Sequence, residues 1–335
     1  MTDRRTLCFP VADSSQVGGA RRAAAQLAAR IGLDENSAGR AAILTTELAN
    51  NLHKHARDGS ILMHSLDEPH RGLELIAIDK GPGMDVARCM RDGYSTSGTP
   101  GTGLGSVVRM ADLWDVYSVE GMGTAVLARI HAKSSAERRR KLSLGAICLP
   151  LKGETRCGDN WSHLSTSTGE RVLVVDGIGH GTLASDAAET AATTFERARA
   201  VPLSGTIRSI HEALKNTRGA AIAIAEIDIE RGILRYVGVG NIAAQVLHAG
   251  TSRSLVSHNG TMGHEIRKVQ EFQYPWPAGA LLVMTSDGLT TRWDLKKYPG
   301  LAQRPPSLLA SVLWRDFARG RDDATVVVAR EETAA

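Results

Sequence analysis

The run Ser134-Ser-Ala-Glu-Arg-Arg-Arg-Lys141 carries a block of basic residues and no large apolar one, in a chain otherwise patterned for burial. Such a block is a solvated connector rather than a core element, although a basic run can also grip an acidic partner. It cuts the chain into two pieces, each of which must bury a core of its own. The total of 335 residues agrees, being about twice the length of a typical domain. The expected organisation is a first domain over 1–133, a linker over 134–141 and a second domain over 142–335.

The two pieces differ in texture. In the first, Ala24, Leu27, Ala28 and Ile31 have helical spacing, and a second helix is predicted from Glu35 to His55 with Ile43, Leu44, Leu48 and Leu52 on one side. Two apolar strands follow, Ser60–His64 and Leu73–Ile78, then glycine-rich loops, a helix over Leu104–Leu113 and two more strands ending at Ile130. This reads as helices packed on one sheet, an α/β sandwich. In the second, short apolar strands occupy Arg171–Val175, Ala221–Ala225, Ala280–Met284 and Ala324–Ala329, with helices near Leu183–Ala200 and Gly205–Asn216. Periodicity alone leaves parallel and antiparallel pairing open.

Composition removes several function classes. With 42% hydrophobic and 23% charged residues the chain is globular rather than disordered. A net charge of +4 on 40 basic and 36 acidic residues does not suggest a nucleic-acid binder, which concentrates basic residues on one face. The cysteines Cys8, Cys89, Cys148 and Cys157 form no C-x-x-C pair, which favours reduced thiols over a disulfide framework or a thiolate zinc site. Thr6–Val11 is too short for a signal-peptide core, and no stretch approaches the roughly 20 apolar residues of a membrane helix. A cytoplasmic protein without membrane contact is expected.

In the first piece, Glu47 and Asn51 stand one turn apart on one helical face. An amide oxygen at Asn51 suits Mg²⁺, a hard ion that prefers oxygen, and a carboxylate at Glu47 can orient or deprotonate a hydroxyl or water. On its own such a pair reads equally as a solvated face. Asp79-Lys-Gly-Pro-Gly83 follows an apolar strand, where a buried carboxylate can accept from an adenine amino group and glycines let backbone approach a flat ring. Gly101-Thr-Gly-Leu-Gly105 precedes a helix, and N–H groups at a helix start bind phosphate. Any one glycine loop is most simply a turn; three such elements in this order are more specific.

These segments, closed by Gly121-Met-Gly-Thr124, resemble the ATP-binding boxes of the GHKL superfamily over about residues 10–130. Thr46-Glu-Leu-Ala-Asn-Asn51, Asp79–Met84 and Asp92-Gly-Tyr-Ser-Thr-Ser97 are most similar to the small RsbT-type serine kinases of bacterial partner switching. The resemblance implies Glu47 as catalytic carboxylate, Asn51 as Mg²⁺ ligand, and Asp79 reading adenine with support from Thr124. Gly81 and Gly83 would shape the pocket, and Gly101, Gly103 and Gly105 would cradle phosphates under a lid near Ser95–Thr102. His55, one turn beyond Asn51, is read as structural. Only 46 residues precede Glu47, and His53 and His55 lie inside the same helix, so a histidine kinase, which carries a phospho-accepting hairpin upstream, is not expected.

In the second piece, Asp176-Gly-Ile-Gly-His-Gly181, Ser286-Asp-Gly288 and Asp322-Asp-Ala-Thr325 each flank an apolar strand. Strand-edge aspartates beside glycines can assemble an oxygen-rich Mg²⁺ or Mn²⁺ site, although a single Asp-Gly is usually a turn. With Cys157-Gly-Asp159 these motifs resemble the metal-dependent type-2C serine/threonine phosphatases of the SpoIIE and RsbX group over about 142–330. The resemblance implies an αββα sandwich and two cations: Asp176 bridging, the Gly177 carbonyl in the shell, Asp287 and Asp322 on one ion and Asp159 acting on the other. Asp322 rather than Asp323 matches the ligand position. His180 could protonate the leaving oxygen or only pack in the turn, and Arg156 is a doubtful phosphate holder because its spacing from Asp159 departs from the eukaryotic pattern.

Taken together, the resemblances imply a bifunctional regulator. One domain would use ATP and Mg²⁺ as a protein serine/threonine kinase; the other would use two Mn²⁺ or Mg²⁺ as a phosphatase. The implied substrates are STAS-domain proteins. An alternative makes the first domain a binding module that sequesters a sigma factor or downstream regulator, with only one domain catalytically active. A homodimer is left open.

Overall fold

A computed structural model of the chain describes residues 5–67, 71–89, 103–132, 141–266 and 268–332. It divides into two compact units. One comprises Met1–Arg139 with Tyr298–Arg315, the other Arg140–Lys297 with Asp316–Ala335.

The first unit opens with β1 (Leu7–Pro10), α1 (Ser14–Arg30) and α2 (Glu35–His55). Asp13 caps α1 through a reciprocal box with Gln16, and Asp34 caps α2 by accepting from the Ser37 N–H at 2.9 Å. Then come β2 (Ser60–Leu66), β3 (Gly72–Ile78), α3 (Val86–Cys89), α4 (Gly103–Met110), β4 (Leu113–Ser118) and β5 (Thr124–His131). The five strands form one sheet in the order β1-β2-β3-β5-β4, antiparallel at every pairing. Leu27, Leu44, Leu48 and Leu52 of the helices bury against Ile61, Met63, Leu73, Leu75 and Ala128 of the sheet.

The predicted helix over Leu104–Leu113 is shorter than expected, ending at Met110, and Leu113 opens β4. Apolar spacing alone does not separate the two states here. Asp112 makes the break, its N–H donating to the Arg129 carbonyl at 2.9 Å and its carboxylate accepting from the His131 N–H at 2.7 Å.

Strand β3 is buried at every position, so the sheet is covered on both faces. The second face carries Glu74, which accepts from Arg129 Nε at 2.6 Å and from the Ser307 hydroxyl at 2.9 Å. Ser307 lies in the far segment grouped with this unit, and Arg304 of the same segment reaches Asp115 at 2.8 Å.

The second unit contains β6 (Leu142–Leu149), β7 (Asp159–Thr166), β8 (Gly169–Gly177), α5 (Thr182–Arg197), α6 (Leu203–Leu214), β9 (Ala220–Asp228) and β10 (Ile233–Val239). It continues with β11 (Ala243–His248), β12 (Thr251–Ser254), β13 (Phe272–Pro275), β14 (Leu281–Thr285) and β15 (Ala324–Glu331); between the last two runs α7 (Pro306–Phe317), whose residues through Arg315 group with the first unit. Two five-stranded antiparallel sheets result, ordered β13-β10-β9-β8-β7 and β12-β11-β14-β15-β6.

Val172, Val174, Ala223, Ala225 and Tyr236 of one sheet pack against Ala244, Leu282, Met284 and Val327 of the other. Leu173, Val175, Ile222 and Ile224, pointing the opposite way as strand alternation requires, pack against Ala188, Ala191, Phe195, Ile207 and Ile210 of α5 and α6. The mixed helix-and-sheet class agrees with expectation, and every strand pairing proves antiparallel. Among the described residues no helix is long and apolar enough to cross a membrane.

Candidate active sites

In the first unit α2 carries Glu47 and Asn51, both half-buried, one turn apart on one face. His55 is exposed in the last turn of the same helix. The loop after β3 is stitched to the end of that helix, since the Lys80 N–H donates to the Arg57 carbonyl at 2.8 Å. Asp79, buried, accepts from the Gly81 N–H at 2.6 Å. Burial raises its carboxyl above the ordinary value, and the Gly81 N–H, the Arg315 guanidinium and the Thr124 N–H oppose that rise.

The far side of this loop is closed by the Gly121 N–H on the Pro82 carbonyl at 2.7 Å. Gly83 is required there: its φ is +77°, and a Cβ would stand 2.3 Å from the Val119 carbonyl oxygen. Thr124 at the start of β5 is held by Ser118, hydroxyl to hydroxyl at 2.9 Å. Gly103 opens α4 and Gly105 lies within it. Gly101 and the Ser95–Thr102 lid lie outside the described residues, as does the Asp92–Ser97 motif.

In the second unit Asp159 opens β7 and faces Asp176 near the end of β8 in register. A glycine is needed at 177 because the chain passes close to α5, where a Cβ would stand 2.3 Å from the Ala184 carbonyl oxygen. The Asp287 N–H donates to the Asp176 carboxylate, and burial together with the charges of Asp287, Asp322 and Asp323 pushes that carboxyl up to about 7. Asp159 is raised well above the carboxylate range, first by burial and then by Asp176, although the Ser286 hydroxyl donates to it at 2.6 Å. Asp287 is raised by burial and by Asp322.

This is an accumulation of negative charge without enough cationic partners, the electrostatic signature of a site for divalent cations. Among the described residues no three acidic, imidazole or thiol side chains form a closed cation cage.

The paired aspartates at 322 and 323 separate by environment. Asp323 is buried and accepts from the Leu151 and Gly158 N–H groups at 2.8 and 2.9 Å, so it pins two loops. Asp322 is half-buried and, among the described residues, accepts a hydrogen bond only from the Asp323 N–H at 2.9 Å. His180 is exposed, its Nδ1 2.7 Å from Glu154 Oε1, rather than packed in the turn. Arg156 is tied to Asp186 at 2.8 Å and Glu189 at 3.3 Å on α5, so its charge is already matched.

Three supporting residues escape a reading of motifs. Asn241 donates to Asp287 Oδ2 at 2.7 Å from the β10–β11 turn. Ser118 holds Thr124. Arg315 donates to the Asp79 carbonyl at 2.9 Å from 236 residues away. Asn241 and Arg315 carry no local sequence signal, because each acts through a partner remote in the chain, whereas Ser118 lies six residues before Thr124 and just outside the motif that contains it.

The Histidine kinase-like ATPase domain family matches residues 10–130, and the Stage II sporulation protein E (SpoIIE) family matches residues 167–332. The serine/threonine-protein kinase RsbT of Bacillus subtilis (strain 168) is 34% identical over 123 residues, covering 36% of this chain and 92% of that protein. The phosphoserine phosphatase RsbX of the same strain is 24% identical over 182 residues, covering 54% of this chain and 90% of that protein. A solved structure from work on the bacterial stressosome, a modular system adapted to control secondary messenger signalling, superposes with TM-score 0.53 at 28% identity, covering 57% of this chain and 100% of that one. The chain belongs to the histidine kinase-like ATPase family through an RsbT-like N-terminal domain, and joins to it a C-terminal phosphatase domain of the SpoIIE type-2C kind.

Proposed function

We propose that the chain is a cytoplasmic partner-switching regulator in which residues 1–133 phosphorylate serine or threonine on a STAS-domain protein and residues 142–335 remove that phosphate. The observation that carries the reading is the pairing of Asp159 with Asp176, within reach of Asp287 and Asp322, in a chain that also keeps Glu47 and Asn51 on one helical face. Likeness to a serine/threonine kinase over one unit and to a phosphoserine phosphatase over most of the other supports it.

For the kinase reaction, Glu47 would accept the proton of the attacking hydroxyl and Asn51 would offer its oxygen to Mg²⁺, most of the catalysis being positioning. Asp79, with Thr124 behind it, would read adenine. ATP supplies the γ-phosphoryl group. In the phosphatase, Asp176 would hold both of two Mg²⁺ or Mn²⁺ ions with the Gly177 carbonyl added to the shell, Asp287 and Asp322 would hold one of them, and Asp159 would act on the other directly or through water. Bound there, the ions would lower the pKa of a bridging water and neutralise phosphate charge during in-line attack.

The test follows one STAS substrate by phosphopeptide mass spectrometry in full-length protein with ATP and Mn²⁺. Asp287→Ala is expected to raise steady-state phosphorylation and Glu47→Ala to lower it. Two variants acting on different residues, or on different proteins, would sink the opposed-switch reading.

A further inference from the structure

A phosphate monoester brings about two negative charges to a rim already lined by Asp159, Asp176, Asp287 and Asp322. A cation of the chain facing the incoming phosphoryl oxygens would add to what the bound ions supply. Arg156 is spent on Asp186 and Glu189, and His180 on Glu154. Arg319 stands beside Asp287 and lowers the affinity of that carboxyl for its proton. Arg218 is different: it is exposed, and among the described residues no carboxylate pairs with it.

Its place in the fold is fixed. Strands β8 and β9 pair Asp176 with Ala221 and Gly177 with Ala220. Beyond the last paired residues the Ile178 N–H still donates to the Gly219 carbonyl at 3.1 Å. Arg218 therefore sits directly across from the glycine turn that follows Asp176. Its guanidinium lies over that turn, with Nη1 3.1 Å from where a Cβ on Gly179 would stand. The backbone is held from the other side too, because the Gly219 N–H donates to the Thr217 hydroxyl at 3.0 Å, and that hydroxyl donates to the Leu214 carbonyl at 2.8 Å.

We propose that Arg218 binds the phosphoryl oxygens of the substrate at the rim of the aspartate cluster, filling the place that Arg156 does not. This rests on the phosphatase reading of the second unit. A guanidinium presents a planar fork that matches two phosphate oxygens at once, which a lysine does not reproduce. The face over Gly179, where among the described residues a Cβ would meet the Arg218 guanidinium and no other atom within 4 Å, is where the phosphate would lie.

The test uses full-length protein with Mn²⁺ and p-nitrophenyl phosphate. Arg218→Ala is expected to raise KM about tenfold and the inhibition constant of inorganic phosphate by a similar factor, with kcat within about twofold. Arg218→Lys should recover part of the loss, and Arg156→Ala should leave KM within about twofold. Calorimetric Mn²⁺ affinity should be unchanged in Arg218→Ala, which separates phosphate binding from damage to the cation site. Unchanged KM and phosphate inhibition in Arg218→Ala would overturn the assignment. So would a KM rise produced by Arg319→Ala and not by Arg218→Ala. Should the parent protein turn over no ester, the phosphatase reading falls, and calorimetry of inorganic phosphate with Mn²⁺ still decides whether Arg218 binds it.

Discussion

Replacing Arg129 with Met tests how the first unit tolerates a carboxylate inside its sheet. Glu74 is fully buried, and its charge is held by Arg129 Nε at 2.6 Å and the Ser307 hydroxyl at 2.9 Å, with His64 Nε2 at 3.2 Å from its other oxygen. Burial alone would push this carboxyl up, yet Arg129, His64 and Ser307 together hold it below its ordinary value. Removing one partner of a buried ion pair costs about 3–5 kcal/mol, since the other charge stays desolvated.

Because Ser307 would remain as a donor, about 3 kcal/mol is expected, or roughly a hundredfold in the local unfolding equilibrium. That is a large share of the ~5–15 kcal/mol that holds a domain together. The sign with pH is fixed as well. In the parent protein Glu74 contributes stability above its unfolded pKa, and that contribution is lost as pH falls through the lower folded value. Without Arg129, burial dominates and the carboxyl takes up a proton more readily, so acid relieves the penalty. The gap between parent and variant should shrink from pH 7 to about pH 4.

Urea titration of the full chain, read by hydrogen exchange in the β3 and β5 peptides, isolates this unit from the other. The double change Glu74→Leu with Arg129→Leu should return most of the loss, as apolar replacement of buried pairs commonly does. A single-variant loss under about 1 kcal/mol at pH 7, or a gap that widens in acid, would refute the account.

Other outcomes follow from the same geometry. Asn51→Ala should abolish Mg²⁺-dependent ATP binding, whereas Glu47→Ala should keep binding and lose phosphotransfer; calorimetry beside a phosphorylation assay distinguishes them. Gly83→Ala forces a φ of +77° on a residue with a Cβ, costing about 1–2 kcal/mol before the Val119 clash is counted, and thermal unfolding with and without ATP should show both lower stability and a smaller nucleotide shift. Asp322→Asn should weaken Mn²⁺ binding with little change in melting, while Asp323→Ala should lower melting by releasing the Leu151 and Gly158 N–H groups; reversed effects would exchange their roles.

Most of the helices and strands, and the order of the glycine-loop and aspartate motifs, were legible in the residues themselves, whereas the grouping of Tyr298–Arg315 with the first unit was not. Capping, apolar period and glycine loops are local, and α2 with Glu47 and Asn51 follows from local spacing alone. The end of α4 was not legible, because Asp112 breaks it through bonds to Arg129 and His131 in another strand. Nor were the separate duties of Asp322 and Asp323, identical side chains whose difference is only which backbone amides face them. Arg156, suggestive by position, is neutralised by α5, and Arg218, unremarkable by position, is brought across from the glycine turn by strand register. Ser307 and Arg315 join a sheet completed almost two hundred residues earlier. Local sequence sets which bonds a segment can offer; which charge meets which depends on chain closure over distances that no local pattern encodes.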